Sequence, residues 1–147
     1  MLMQTLKGVT LRNLFAVIII VGIESAAALP HINDALKDYR LNSAAADVWL
    51  DMHKAQFMAI KEKRTIRVDF DQDSYRITRV TTGEVTLTRH LTREYPEISL
   101  VVSGGRESIV FDRTGATEGD SREIEITGPA GKRSFTILAT GVIGNLP

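Results

Sequence analysis

An apolar run near the N-terminus constrains this chain more than any other feature of its sequence. Residues 14–23 read LFAVIIIVGI, and after a polar interruption at Glu24 a second apolar stretch ends at Pro30. As a helix, residues 11–29 would span about 28 Å at about 1.5 Å per residue. The hydrocarbon core of a bilayer is about 30 Å thick. The sequence therefore predicts a transmembrane or assembly helix over residues 9–30.

The residues around the run allow three interpretations of it. A secretory signal peptide would have a charged start, an apolar middle and small residues before the cleavage site, here Ala26 and Ala28. An uncleaved anchor would keep the run and everything before it. A prepilin-type signal would be cut ahead of the run, after Gly8, so that the apolar helix stays in the mature protein. The run alone leaves all three interpretations open.

The spacing around the run carries a resemblance to a known family. Residues 8–11 read GVTL, the apolar run comes next, and residues 28–30 read ALP. This arrangement resembles the signature of type IV pilins and type II secretion pseudopilins. The resemblance implies that a prepilin peptidase removes a leader, residues 1–8, by cutting between Gly8 and Val9, and that Val9 is then methylated.

The same resemblance implies a location and a set of partners. The precursor would be a single-pass protein of the bacterial inner membrane, with its C-terminal domain in the periplasm. The mature helix would pack against other pseudopilins or pilins in a filament or tip complex. Assembly would require an inner-membrane platform in addition to the peptidase.

Two positions depart from the family pattern. Val9 stands where the family usually has Phe, and Asn13 stands where it usually has Glu. In the family, that Glu is thought to neutralise the N-terminal amine of a neighbouring subunit, and a buried charge does need a partner. Glu24 lies on nearly the same helix face as Asn13, so it either takes over this role or is solvated at the membrane boundary. Asn13, Glu24 and Pro30 are therefore the candidate assembly residues.

Length and composition limit the architecture of the chain beyond the apolar run. The chain has 147 residues, 18 basic and 18 acidic residues, and no cysteine. It has room for one globular domain besides the helix. A formal charge of zero gives no global attraction to nucleic acid or anionic lipid. Without cysteine no disulfide can form, so the domain must be stabilised by its core.

Residues 31–62 are predicted to continue the helix as an amphipathic segment. Apolar residues recur there in steps of three and four, which is typical of a helix with one apolar face. They are Ile32, Leu36, Tyr39, Ala45, Val48, Trp49, Met52, Ala55 and Ala59. Asp47 and Asp51 fall on the opposite, polar face, whereas Trp49 and Met52 are predicted to contact a sheet.

After residue 62 the apolar period changes from that of a helix to that of a strand. Alternating apolar and polar residues separated by turn residues predict seven short strands. The predicted strands are 65–70, 75–80, 85–89, 98–102, 108–111, 122–126 and 134–138. A helix followed by strands predicts an α+β fold, in which a long N-terminal helix packs against a C-terminal antiparallel β-domain over residues 63–147.

This second part of the chain is similar to the GspH/FimT group of minor pseudopilins and minor pilins. Residues 53–61 resemble the helix end of that group, IVF followed by Gly115 resembles its F-x-x-x-G pattern, and FTI followed by Gly141 resembles its last strand-Gly pattern. The group's usual basic residue after the last Gly is absent, and Val142 stands there.

The resemblance to this group implies a structural, non-enzymatic function. It predicts a minor pseudopilin of a type II secretion system that supports protein secretion. The alternatives are a FimT/FimU-like minor pilin of a type IV pilus and a Sec-exported periplasmic domain.

We expect no catalytic or metal site and no cofactor. The three histidines have no ligand-like spacing. Asp69, Asp71 and Asp73 alternate as in a calcium loop, but an EF-hand also needs Gly at the sixth position and Glu at the twelfth. Ser74 and Val80 stand there instead. The segment is therefore predicted to be a solvated hairpin turn.

Basic residues cluster where the predicted helix meets the first strands. The candidates for contact with DNA phosphates are Lys61, Lys63, Arg64 and Arg67. No aromatic residues alternate with them to stack bases. We therefore expect a mixed-charge surface and regard nucleic acid as the less favoured partner.

Overall fold

The computed structural model describes residues 11–104 and 107–146. These residues form one long helix, seven strands and one short helix. In chain order the elements are α1 (Leu11–Glu62), β1 (Ile66–Phe70), β2 (Ser74–Arg79), β3 (Val85–His90), α2 (Leu91–Glu94), β4 (Ser99–Val102), β5 (Ser108–Phe111), β6 (Arg122–Gly128) and β7 (Gly131–Ile137). Contacts divide the chain into two compact units, Met1–Ala35 and Leu36–Pro147.

The described part of the first unit belongs to α1. Its large apolar side chains from Leu14 to Ile20 are between 50% and 59% exposed. Within the described residues, no helix combines the length and the apolar character needed to cross a membrane.

The strands of the second unit form two antiparallel sheets. The first sheet has four strands in the order β3-β2-β1-β5, and the second has three in the order β4-β6-β7. Val68 of β1 lies opposite Ile77 of β2 and Ile109 of β5, so apolar residues of three neighbouring strands share one face. The seven predicted strands are confirmed, with ends that shift by a few residues at most.

One face of α1 supplies the helical part of the core. Its buried residues recur in steps of three and four and are mostly small. They are Leu41, Ala44, Ala45, Val48, Met52, Ala55 and Ala59. Alanines lose little side-chain entropy and let the sheets approach the helix closely. Trp49 packs against this core and Met52 is fully buried, which confirms both predicted contacts.

The strands contribute alternate residues to the same core. Ile66, Val68 and Phe70 of β1 are buried, as the alternating pattern predicts. The second sheet contributes Ile124 and Ile126 of β6. The predicted α+β architecture, with a long helix packed on antiparallel strands, is confirmed.

Four residues of α1 lie where the helical pattern did not place them. Ile32, Leu36 and Tyr39 were predicted to lie on the packed face, but they are 54%, 45% and 68% exposed. At about 100° per residue, Tyr39 lies about 180° and Leu36 about 120° round the helix from Val48, so neither side chain points at the sheets. Asp51, predicted to lie on the polar face, is fully buried.

The end of α1 is formed by a left-handed residue. Lys63 has a φ of 57°, and the backbone N–H of Arg64 donates to the carbonyl of Ala59 at 3.2 Å. This six-to-one bond is the Schellman arrangement, which usually has Gly at the left-handed position. The turn directs the chain from the helix into β1.

Candidate functional site

The residues predicted to act in processing and assembly lie at the start of the chain. Gly8 and Val9 fall outside the described residues. Asn13 lies in the first turns of α1 with an exposed side chain. Glu24 and Pro30 lie within α1, but their side chains are not among those described, so their assembly roles stay predictions.

Arg67, one of the four candidate DNA contacts, has a carboxylate partner. Its Nε lies 3.1 Å from Oδ1 of Asp69 on the exposed face of β1. The first sheet holds two further paired arginines, Arg79 and Arg89. Arg79 forms ion pairs with Glu62 at 2.8 Å and with Glu84 at 2.9 Å. These pairs neutralise most of the positive charge on the sheet.

Lys61, Lys63 and Arg64 are exposed at the end of α1. In the described part of the chain none of them has a carboxylate within ion-pair distance. The ammonium of Lys61 instead stands 5.9 Å from the centre of the Phe57 ring. Among the described residues, three of the four candidates are therefore cations without an ion pair, and the fourth, Arg67, is paired.

The charges at the helix end also act on Glu62. The hydrogen bond from Arg79 holds the pKa of this carboxyl below its usual range, and the nearby charges of Arg64 and Lys61 act in the same direction. Glu62 therefore stays ionised and paired with Arg79. Lys61 and Arg64 act on it through their charge but form no ion pair with it.

The three aspartates that resemble a calcium loop each have another partner. Asp69 pairs with Arg67, Asp71 accepts the backbone N–H of Gln72 at 2.8 Å, and Asp73 accepts the hydroxyl of Thr92 at 3.4 Å. Across residues 11–104 and 107–146, no group of three metal-ligating side chains is close enough to hold an ion. The segment forms the turn between β1 and β2.

A buried polar network joins α1 to the first sheet. The phenol of Tyr75 donates to Oδ2 of Asp51 at 2.6 Å, and Lys54 donates to Oδ1 at 2.9 Å. Arg89 of β3 donates to Asp47 at 2.7 Å and to Glu94 of α2 at 2.9 Å. Asp51 also lies within ion-pair distance of Arg89, so three carboxylates from two helices converge on this arginine.

The contact between Arg89 and Asp51 is an ion pair without a hydrogen bond. The Nε atom of Arg89 lies 3.0 Å from Oδ2 of Asp51. Its N–H is not aligned with that oxygen, so this buried donor is not satisfied. Tyr75 satisfies the same carboxylate oxygen with a well-formed hydrogen bond. The buried carboxylate of Asp51 is therefore stabilised by a hydrogen bond from Tyr75 and by the positive charge of Arg89.

Burial in this network changes how its tyrosines titrate. Burial raises the pKa of Tyr75 well above its usual range, and the hydrogen bond to Asp51 raises it further. Burial and a hydrogen bond to Asp47 raise the pKa of Tyr95 to about 12. Both phenols therefore act as hydrogen-bond donors at physiological pH.

The sequence did not predict this network. Asp47 and Asp51 are spaced four residues apart on a helix, which places them on one side, but apolar periodicity assigns any charged pair to the solvent face. Two features of the sequence could have indicated the network: the four-residue spacing of Asp47 and Asp51, and Arg89 at the end of a predicted strand.

Gln56 of α1 joins the two glycine motifs noted in the sequence. Its Nε2 donates to the carbonyl of Gly115 at 2.8 Å and to that of Gly141 at 2.6 Å. Both glycines have positive φ, +86° and +87°. A Cβ on Gly141 would overlap the carbonyl of Gly115, and one on Gly115 would lie 2.7 Å from Cδ1 of Ile60. The chain therefore requires Gly at both positions to approach the helix.

The C-terminal segment is attached along the same side of α1. The indole of Trp49 donates to the carbonyl of Gly144 at 2.8 Å. Ile143 pairs with Ile137 at the edge of β7, and Leu146 packs against the core. The segment after β7 thus closes that edge of the second sheet.

Comparison with known proteins gives one family match and two structural matches. Residues 44–141 match the family described as type II transport protein GspH. Two crystal forms of the type IV minor pilin FimU from Pseudomonas aeruginosa match the structure. One has a TM-score of 0.61 at 18% identity over 76% of this chain and 95% of FimU. The other has a TM-score of 0.59 at 20% identity over 73% and 92%.

Comparison with curated protein sequences gives no match. The FimU likeness supports the pilin fold, and the GspH match covers both glycine motifs and all seven strands. It begins at the first small core residues of α1, so the helix–sheet contact lies within it. The chain belongs to the GspH family of type II transport proteins.

Proposed function

We propose that this protein is a minor pseudopilin of a type II secretion system, a structural and non-enzymatic subunit that supports protein secretion. The precursor enters the inner membrane, and a prepilin peptidase cuts it between Gly8 and Val9. Val9 is then methylated. The mature helix is extracted by the assembly platform and packs among the helices of other pseudopilins, with the C-terminal domain in the periplasm.

The observation that carries this proposal is the uncovered apolar surface of Leu14–Ile20. Fully burying an aliphatic or aromatic side chain contributes roughly 1.5–3 kcal/mol. These side chains are apolar on all sides of the helix, which is typical of a helix surrounded by lipid or by other helices. A membrane and a bundle of pseudopilin helices offer comparable burial, so the helix can pass from one to the other.

The experiment that tests the proposal identifies the N-terminal residue of the mature protein. The chain is isolated from membranes of cells that contain the whole machinery and is examined by intact mass and terminal peptide sequencing. We expect a chain that starts at Val9 with one added methyl group. A start at Leu29 would indicate an ordinary signal peptide and remove the filament proposal. A start at Met1 would leave an anchored domain.

The second candidate function is that of a minor pilin in a type IV pilus. It is supported by the fold shared with FimU, which is itself a type IV minor pilin. Deletion of the gene separates the two functions. Loss of exoprotein secretion with normal piliation supports the pseudopilin, whereas loss of surface pili with normal secretion supports the minor pilin.

A nucleic-acid role within such a pilus rests on Lys61, Lys63 and Arg64, which have no ion-pair partner among the described residues. Retardation of duplex DNA by residues 31–147, with a steep salt dependence, supports it. Failure to bind at low salt removes it.

A further inference from the structure

We propose that the end of α1 and the adjoining turns form a docking surface for a neighbouring filament subunit that presents apolar side chains beside carboxylates. This surface, the helix-end patch, has an apolar centre and a cationic rim. The centre is Phe57, Ile60 and Val142, and the rim is Lys61, Lys63, Arg64 and Arg113. The inference rests on the proposed function, because the partner is another subunit of the same filament.

The apolar centre of the helix-end patch is exposed. Phe57 is 62% exposed, Val142 is 58% exposed and Ile60 is 41% exposed. Phe57 and Ile60 are three residues apart on α1, so their side chains are neighbours. Clustered apolar side chains of this kind mark interaction sites more often than isolated ones do.

A hydrogen bond from Gln56 holds the backbone directly before Val142 against the same stretch of α1. Gln56 precedes Phe57 and donates to the carbonyl of Gly141, the residue directly before Val142. The turn at Gly115 lies against Ile60, because a Cβ built at that glycine would come within 2.7 Å of Ile60 Cδ1. Helix, turn and C-terminal segment therefore contribute to one surface within the second unit.

The rim of the helix-end patch is positive. Lys61, Lys63 and Arg64 come soon after Ile60 in the chain, and Arg113 lies in the turn that ends at Gly115. All four are exposed, and none forms an ion pair within the described residues. Three carboxylates adjoin these residues in the chain or through Arg79: Glu62, Glu84 and Asp112.

These three carboxylates are already occupied. Arg79 pairs with Glu62 and Glu84, and Asp112 accepts hydrogen bonds from Thr114 and Ala116. The four rim cations thus keep their charge unpaired within the described residues. A partner with carboxylates at its rim therefore has complementary charge.

The backbone beneath the helix-end patch is held in place before any partner arrives. Gln56 fixes both Gly115 and Gly141, and Asp112 closes the turn by accepting the N–H of Thr114 at 2.7 Å. A surface that is already ordered loses little conformational entropy on binding. This is what a docking site between rigid subunits requires.

The composition of the patch favours a protein over nucleic acid. Single strands are bound by rows of aromatic side chains beside cations, whereas the patch contains one aromatic ring, that of Phe57, which Lys61 partly covers. Exposed Ile60 and Val142 have no role in binding phosphates. An apolar centre with a charged rim is the usual anatomy of a protein interface.

The patch is too small to hold a free partner by itself. A stable interface buries about 800 Å² on each partner, and three apolar side chains cover well under half of that. Docking here therefore requires a partner already brought close by packing of the N-terminal helices. For this reason the test uses the full chain in membranes rather than an isolated domain.

The experiment places the photo-crosslinking residue p-benzoylphenylalanine at position 57 of the full chain, in cells with the complete assembly machinery. Irradiated membranes are analysed by mass spectrometry for the crosslinked peptide. The double variant K61E/R64E removes the positive rim. R76E is the matched control, because Arg76 lies on the outer face of β2 with an exposed side chain and forms no ion pair within the described residues.

We expect a crosslink to another pilin-type subunit, at a peptide that contains Asp or Glu. K61E/R64E lowers its yield at least tenfold, R76E leaves it unchanged, and changing the partner's carboxylate to Lys restores it. A crosslink that is insensitive to K61E/R64E overturns the inference. So does binding of a duplex DNA probe that is abolished by K61E/R64E in the absence of any protein crosslink.

The N-terminus of the same protein is sequenced in the same experiment. A start at Val9 without a charge-sensitive crosslink overturns this inference and leaves the proposed function intact. A start at Leu29 removes the proposed function and with it the filament partner. Near-UV circular dichroism of each variant confirms that the exposed substitutions leave the fold unchanged.

Discussion

Tyr75 of β2 and Asp51 of α1 are joined by a 2.6 Å hydrogen bond in the interior of the domain. The carboxylate is fully buried, and a buried charge is stable only when it is paired and hydrogen-bonded. Arg89 supplies charge at 3.0 Å and Lys54 supplies a further donor at 2.9 Å. The pair fixes the position of the first sheet along the helix more specifically than apolar packing alone.

We predict that Tyr75→Phe destabilises the domain by about 1–3 kcal/mol, because the buried carboxylate loses its best-aligned donor while the ring still fills its space. Thermal unfolding of the purified chain, followed by the near-UV signal of Trp49, measures the change. Tyr39→Phe is the control, since Tyr39 is 68% exposed. Equal effects of the two substitutions would contradict a special role for the phenol of Tyr75.

From the raised pKa values of Tyr75 and Tyr95 we predict a loss of stability at alkaline pH. The pKa of Tyr95 is raised from 10.0 to about 12, and that of Tyr75 is raised further, so the folded state retains protons that the unfolded chain has lost. The stabilisation from the two protonated phenols is complete below pH 10 and is lost as the pH rises above 10. We expect the free energy of unfolding to fall between pH 10 and 12.

Substitution identifies the groups responsible for this fall. The variant Y75F/Y95F is less stable at pH 8, but its free energy of unfolding declines less steeply above pH 10. Urea unfolding at a series of pH values measures both slopes. Parallel slopes in the two proteins would show that other groups cause the alkaline loss.

Gly141 is predicted to be intolerant of any side chain. Its φ of +87° is unfavourable for L-residues, and a Cβ would overlap the carbonyl of Gly115. Gly141→Ala combines backbone strain with a steric clash and should cost about 3 kcal/mol. Gly83→Ala is the matched control, because Gly83 has a φ of +68° and nothing within 4 Å.

Gly83→Ala should therefore lower the free energy of unfolding by about 1 kcal/mol, from backbone strain alone. Urea unfolding of both variants gives the difference. If both lost the same stability, the contact between Gly141 and the Gly115 turn would have no energetic role.

Local patterns predicted most of the fold. The steps of Val48, Met52, Ala55 and Ala59 identified the packed face of α1, and alternation in β1 identified Ile66 and Val68 as core residues. These signals depend only on the geometry of a helix or a strand. The division of the strands into two sheets depends instead on which distant strands pair, as β1 does with β5, and local patterns do not specify this.

The candidate sites were less predictable for a related reason. Asp51 was assigned to the solvent face because its partners Tyr75 and Arg89 lie far away in sequence. The sequence showed the basic cluster, but its net charge depends on which cations are paired. Only the structure shows that Arg67 has a carboxylate partner and that Lys61 has none within the described residues. Both features are products of tertiary contacts.

Replacement of Lys63 by Gly is predicted to stabilise the domain. Lys63 adopts a φ of 57° at the end of α1, where Gly has no steric penalty. We expect a gain of about 0.5–1 kcal/mol in the free energy of unfolding. Arg64→Gly serves as the control, because Arg64 is not among the described residues with positive φ and should lose stability. A loss in both variants would contradict the predicted benefit.

Asn13 offers a test of assembly that separates charge from size. Its exposed amide can accept a hydrogen bond from a neighbouring N-terminal amine but cannot neutralise it. Under the proposed function, Asn13→Glu places a carboxylate where the amine of Val9 needs a partner in a dry helix bundle. We expect a severalfold larger fraction of the chain in pelleted filaments, measured by immunoblot.

Asn13→Gln has the same length as the Glu variant without the charge and should match the unmodified protein. If the Gln and Glu variants behaved alike, neutralisation of the amine at this position would not limit assembly, and Glu24 would be the next residue to substitute.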